Sequence, residues 1–170
     1  RIWENITRVG LKNVDVKVWD GREMQKELLG KADVVLLDVP CSGLGVVGKK
    51  RDIKYRVTPE GMKELVSLQR EIVGNAWQYV RPGGILLYST CTIRREENQD
   101  MVAWILRSLP FEPVSIRDTL PEEIGRKVAE ERQSRLWENP EEVEDCSAQL
   151  LPGLLKTDGF FLAKLRRKTI

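Results

Sequence analysis

Apolar residues recur along this chain with two periods. Ile2, Trp3, Ile6 and Val9 fall on one face of a helix, and Gly10 supplies its stop. Residues 14–18, Val-Asp-Val-Lys-Val, alternate strictly and predict a half-exposed strand that ends at Trp19-Asp20-Gly21-Arg22. Residues 24–29 fit a short helix before Gly30. Residues 34–37, Val-Val-Leu-Leu, are an unbroken apolar run, the mark of a strand buried on both faces of a parallel sheet. Thr58-Pro59-Glu60 opens a helix: a capping hydroxyl, a proline at the first position, then an acid. Met62, Leu65, Val66, Gln69, Ile72, Val73, Ala76, Trp77 and Val80 carry it at helical spacing to about Tyr79. Arg81-Pro82-Gly83-Gly84 stops it, and residues 85–89 form a second apolar strand.

Residues 96–106 read as a further helix with Met101, Val102, Ile105 and Leu106 inward, closed by Pro110. Residues 111–116 suit a short strand, which Pro113 confines to an edge or an irregular stretch. Residues 119–149 show no clean period and are read as loop with short helices. Thr157-Asp158-Gly159 is a turn, and residues 160–165 are a final strand. Strands alternating with helices, and a late pair of strands, predict one α/β domain over 1–170.

Two strands in this pattern deliver chemistry at the same end. The first runs into Asp38-Val39-Pro40-Cys41-Ser42-Gly43-Leu44-Gly45, the second into Thr90-Cys91-Thr92. Ligands of open parallel sheets bind outside the carboxyl ends of the strands. Asp38, Cys41 and Cys91 therefore stand at the expected place for a site. A cysteine after a strand is also a small core hydrophobe. Two on neighbouring strands, ~4.8 Å apart, are near enough for a disulfide. Cys146, in acidic surroundings, is read as incidental.

Composition narrows the chemistry. The chain has no histidine, which excludes histidine acid–base catalysis and histidine metal ligation, and its three cysteines make a weak zinc case. No apolar run approaches the ~20 residues that span a bilayer. Without a signal peptide or a disulfide framework, a reducing, cytoplasmic location is expected. The net charge is only +2, but residues 49–56 hold five cations and one anion directly after the first cysteine bend. A basic loop with Tyr55 in it suits a polyanionic substrate. Tyr55 itself suits either stacking on a base or packing. The chain starts at Arg1 inside a helical pattern and is expected to be the carboxyl-terminal part of something longer.

These motifs, in this order, resemble the Sun/RsmB family of RNA cytosine-5 methyltransferases, which includes the NSUN-type enzymes. The resemblance rests on Asp20-Gly21-Arg22, the stretch from Leu37 to Gly45, Arg81-Pro82-Gly83-Gly84, Tyr88-Ser89-Thr90-Cys91-Thr92, and the stretch from Thr157 to Leu165. It implies a Rossmann-like, mostly parallel sheet of order 3-2-1-4-5-7-6 with strand 7 antiparallel. Residues 14–18 would be strand 3, and the strands at 34, 85, 111 and 160 would be strands 4, 5, 6 and 7. Strands 1 and 2, with the glycine-rich cofactor loop, have no counterpart, so weak cofactor binding by this chain alone is expected. One edge of strand 4 should then be unpaired, inviting rearranged pairing or self-association.

The resemblance also implies the function: methyl transfer from S-adenosylmethionine to carbon 5 of a cytosine in RNA, expected to be ribosomal RNA. It assigns the attacking thiolate to Cys91 and product release to Cys41. Asp38 would face the base and the cofactor, and Asp20 would bind the cofactor adenine. Arg51, Lys54 and Arg56 would hold RNA phosphates. Two other readings stand beside it: a non-catalytic RNA-binding module of the same fold, and a methyltransferase of another substrate using the Asp-x-Pro-x turn.

Overall fold

The computed structural model describes residues 1–133, 141–153 and 156–169. The first helix, α1 (Ile2–Val9), ends at Gly10 in the left-handed conformation, and none of its residues is buried. Residues 14–18 form no strand. Their alternation is present, but no described strand lies beside them, and a lone extended segment has no ladder to complete. Val18 is fully exposed, at 100%. The short helix expected at 24–29 is a single 3-10 turn, Lys26–Leu28.

The centre of the molecule is one five-stranded mixed sheet, built from β1 (Ala32–Asp38), β2 (Val80–Thr90), β3 (Phe111–Pro113), β4 (Ser147–Leu150) and β5 (Phe160–Arg167). The order is β1-β2-β5-β3, with β4 beside β5 next to β3 on the same edge. β1 and β2 are parallel, and β5 is antiparallel to each of its neighbours. This is the 4-5-7-6 order that the resemblance implies. β4 was not anticipated. All but its last residue fall in the stretch 119–149, of which residues 134–140 are outside the described residues. Its four residues are too few to show a period, and its pairing with β5 makes it a strand.

Helix α2 (Ile53–Arg56) is a single turn in the basic loop. Helix α3 (Pro59–Ala76) starts as the sequence requires, with the Thr58 hydroxyl accepting from the Gly61 N–H at 3.1 Å. Helix α4 (Gln99–Ser108) buries Met101, Val102, Ala103 and Ile105. Helices α3 and α4 cover one face of the sheet, where Val73, Leu86, Tyr88, Phe161, Ala163 and Leu165 form the main core. On the other face, Ile124 and Val128 of α5 (Glu122–Gln133) pack with Ala148, Leu150 and Leu162. A short helix, α6 (Glu141–Glu144), precedes β4.

That second layer does not reach β1. Val35 and Leu37 join the main core, whereas Val34 and Leu36 are 54% and 64% exposed. The expectation of a strand buried on both faces is therefore corrected: only one face is covered among the described residues. β1 also has no described partner on its outer side. No described helix is long and apolar enough to cross a membrane.

Candidate active site

Register carries the two cysteines together. β1 and β2 run parallel with Asp38 opposite Ser89, so both chains leave the sheet at the same end. The bends that follow bring Cys41 Sγ to 3.4 Å from Cys91 Sγ, with both thiols free and half-buried. Asp38, exposed at the tip of β1, accepts from the Ser89 hydroxyl at 3.3 Å. Burial, then the contact with Cys91, pushes the Cys41 thiol up to about 12, so Cys41 keeps its proton at neutral pH. It can then donate to the sulfur of Cys91.

Close backbone packing locks the first bend. The Gly45 N–H donates to the Cys91 carbonyl at 3.1 Å, and the Gly159 N–H donates to the Gly45 carbonyl at 2.8 Å. A Cβ on Gly45 would lie 2.2 Å from the Gly159 oxygen and 2.8 Å from the Cys91 oxygen. Only glycine permits this approach. The Lys49–Asp158 ion pair, at 2.6 Å, adds a partly exposed link between the same two segments. The glycine-rich bend and the Thr-Asp-Gly turn are thus two halves of one contact.

Beneath the cysteines lies a buried polar network that the sequence did not disclose. Ser42 donates to Glu97 twice, from its N–H at 2.9 Å and from its hydroxyl at 2.5 Å. Gln69 of α3 donates to the same carboxylate at 2.9 Å and to the Pro40 carbonyl at 2.9 Å. The Ser42 hydroxyl lies 2.8 Å from that of Thr92. Tyr88 donates from its phenol to the Glu97 carbonyl at 2.7 Å. Asn98 accepts from Thr90 at 2.6 Å and donates to the Thr92 carbonyl and to Gln149. Glu97 and Asn98 are almost wholly buried. In the sequence Glu97 closes a charged run, Arg94 to Glu97, and both residues fall in the first turn of the helix expected over 96–106, outside its inward set. The one available signal was a polar cluster immediately after a cysteine-bearing strand.

The other anticipated residues are distributed unevenly. Asp20 lies outside this cluster. Hydrogen bonds from the Arg22 side chain, then from its backbone N–H, hold its carboxyl down to about 2. The Asp20–Arg22 turn docks on α3, where Asn75 donates to the Arg22 carbonyl and Ile72 packs on Gly21. Arg51, Lys54 and Arg56 are all exposed. Arg56 pairs with Asp52 at 3.1 Å and also lines a cavity of about 210 Å³ beside Cys41, walled by Ser42, Ile53, Thr58 and Met62. Tyr55 is 79% exposed with the Lys54 ammonium over its ring, so it is not packed in the core. Cys146 is buried in the main core and donates to the Val143 carbonyl. Among the described residues no cluster could hold a metal ion.

A family model described as 16S rRNA methyltransferase RsmB/F matches residues 1–166. The chain belongs to the RsmB/F family. It is similar to ribosomal RNA small subunit methyltransferase F of Cronobacter sakazakii, with 38% identity over 165 residues, 96% of this chain and 31% of that protein. The crystal structure of PH0851 superposes with a TM-score of 0.79 and 32% identity, covering 98% of this chain and 34% of that one. The NSun6 structure from Pyrococcus horikoshii with SFG gives a TM-score of 0.72 and 31% identity, over 99% of this chain and 38% of that one. The chain spans about a third of the length of the curated relatives it matches. The α/β sheet described above is accordingly part of a Rossmann-like methyltransferase fold.

Proposed function

We propose that this chain carries the catalytic cysteines of an RNA cytosine-5 methyltransferase acting on ribosomal RNA, with S-adenosylmethionine as methyl donor. Membership in the RsmB/F family supports the reaction class. The observation that carries the mechanism is the pair of free thiols, 3.4 Å apart, at the carboxyl ends of two parallel strands.

Carbon 5 of cytosine is a weak nucleophile. A thiolate adding to carbon 6 breaks the 5,6 double bond and places electron density on carbon 5. Cys91 is the attacking sulfur. After methylation, water takes the carbon 5 proton, the electron pair of that C–H bond re-forms the double bond, and the S–C6 pair departs with the Cys91 sulfur. The departing Cys91 sulfur then meets the Cys41 thiol, which is protonated and within donor distance. Hydrogen bonding to a leaving thiolate lowers the barrier to its departure. This gives Cys41 the release role. The Asp38 carboxylate suits the exocyclic amine of the base.

S-adenosylmethionine supplies the methyl group when bound. Its ammonium, ribose hydroxyls and adenine amine are all donors, and the exposed carboxylates of Asp20 and Asp38 are matching acceptors. These two residues would hold it. The target base must leave its stack to reach the thiols. Arg51, Lys54 and Arg56, with Tyr55 between them, supply phosphate contacts and a stacking surface. The test is RNA carrying 5-fluorocytosine. With S-adenosylmethionine present, methyl transfer leaves carbon 5 bearing fluorine and methyl but no proton, so elimination is blocked and the Cys91–carbon 6 bond persists as a stable protein–RNA adduct. An adduct mapped to Cys91 is expected. An RNA-binding module without this chemistry would bind the RNA and leave no adduct.

A further inference from the structure

The residues following the two cysteines, Ser42 and Thr92, bond to each other, and Glu97 decides in which direction. Glu97 Oε1 and Oε2 face only donors: the Ser42 N–H, the Ser42 hydroxyl and the Gln69 amide. Both oxygens act as acceptors, and the Ser42 hydroxyl is the donor. The single Ser42 hydroxyl proton is therefore committed to Glu97, which leaves Ser42 Oγ as acceptor for Thr92. The Thr92 hydroxyl proton is committed in turn, and its oxygen accepts from the Arg94 N–H at 3.3 Å. The chain runs one way, from Arg94 through Thr92 and Ser42 to Glu97. It fixes the residue beside Cys41 against the residue beside Cys91.

We propose that Glu97 is the positioning residue of the cysteine pair, orienting the Ser42–Thr92 hydroxyl bond that holds Cys41 within donor distance of Cys91. The inference rests on the roles given above to the two cysteines. Three features set Glu97 apart from an ordinary core polar group. The residue is about 1% exposed. Its backbone carbonyl is tied to β2 by the Tyr88 phenol, so the carboxylate has a fixed base. It also reaches both sides of the Cys41 bend, since Gln69 links it to Pro40 while it binds Ser42 directly. Moving the bend means breaking several charge-assisted or buried hydrogen bonds together.

Glu97→Gln is the decisive variant because it keeps size and shape. Its amide nitrogen would face donors only, so one contact becomes donor against donor. In the native protein kcat should fall by about 10- to 100-fold, with KM for RNA changed less than about threefold, the pattern of lost alignment rather than lost binding. Cys41 should alkylate at least about tenfold faster at pH 8, as its bend loosens and its burial falls. Unchanged kcat together with unchanged Cys41 reactivity would overturn the proposal.

If Glu97→Gln does not fold, Thr92 answers the same question. Thr92→Val removes the hydroxyl at equal volume and should lower kcat and expose Cys41 in the same sense, whereas Thr92→Ser should restore both. Equal behaviour of Thr92→Val and wild type would also overturn it. Cys91→Ala separates this from the proposed function. Retained methylation by Cys91→Ala defeats the function itself, while a dead Cys91→Ala beside a normal Glu97→Gln defeats only the positioning role.

Discussion

Residues 1–31 and the two cysteine bends carry similar amounts of hydrophobic and polar pattern, and they end up in opposite physical states. In the first region α1 buries nothing, Val18 is bare, and the alternation at 14–18 yields no strand. In the second, the polar residues Glu97, Asn98 and Thr92 are as inaccessible as the core leucines, and Ser42 is buried beside them. Pattern alone does not place a residue inside. A partner surface does, and β2 with α3 and α4 supplies a full one to the second region, while the first gains little beyond the docking of its Asp20–Arg22 turn on α3. Buried polar groups are tolerated there because nearly every one is hydrogen-bonded.

The sharpest break of this contrast is at Gly45. Gly45→Ala drives a Cβ into two backbone carbonyls that cannot move independently. It should cost about 4 kcal/mol or more, or prevent folding, by urea titration. Gly48, in the same loop, has nothing within 4 Å of a built Cβ. Gly48→Ala should stay within about 0.5 kcal/mol of wild type. Comparable losses from the two would remove the claim that the Gly45–Gly159 approach locks the bend.

Thiol reactivity comes next. With its pKa raised from 9.0 to about 12, Cys41 is protonated at every pH below that value. At pH 8 its thiolate should be about 1000-fold scarcer than that of an ordinary thiol. Its alkylation, followed by peptide mass spectrometry, should therefore rise about tenfold per pH unit up to about pH 12. A plateau near pH 9 would show that burial does not hold the proton.

Core truncation should divide the regions again. Leu86→Ala removes a wholly buried side chain from β2 and should cost about 3 kcal/mol. Val18→Ala, at a fully exposed position, should cost less than about 0.5 kcal/mol. The smallest effects belong to the basic loop. Each of Arg51→Ala and Lys54→Ala should lower the salt slope of RNA binding by about 0.7, and Arg56→Ala by less, because Arg56 already pairs with Asp52.

What the sequence disclosed follows the same division. The Thr58–Pro59 start of α3, the strands at 34, 85 and 160, and the pairing of Cys41 with Cys91 were legible because each depends on local chemistry or on two parallel strand ends. The Gly45–Gly159 contact was half legible: both glycines stood in recognisable motifs, but nothing local said that they touch. β4 was hidden because four residues carry no period. Glu97 was hidden for a different reason. A glutamate in a charged run is exposed by default, and only the fold brings Ser42 and Gln69 around it. Residues 14–18 failed in the reverse sense, with a true pattern and no neighbour to satisfy it.

The central claim is that two adjacent thiols divide attack from release, and ordinary cytosine RNA tests it most directly. The native protein and its Cys91→Ala and Cys41→Ala variants are incubated with RNA and S-adenosylmethionine and run under denaturing conditions. Cys91→Ala should give neither methylation nor adduct, since nothing attacks carbon 6. Cys41→Ala should accumulate a protein–RNA adduct that wild type does not, because the Cys91 sulfur leaves without its hydrogen-bond donor. Adduct accumulation by Cys91→Ala, with none from Cys41→Ala, would reverse the two roles and contradict the account.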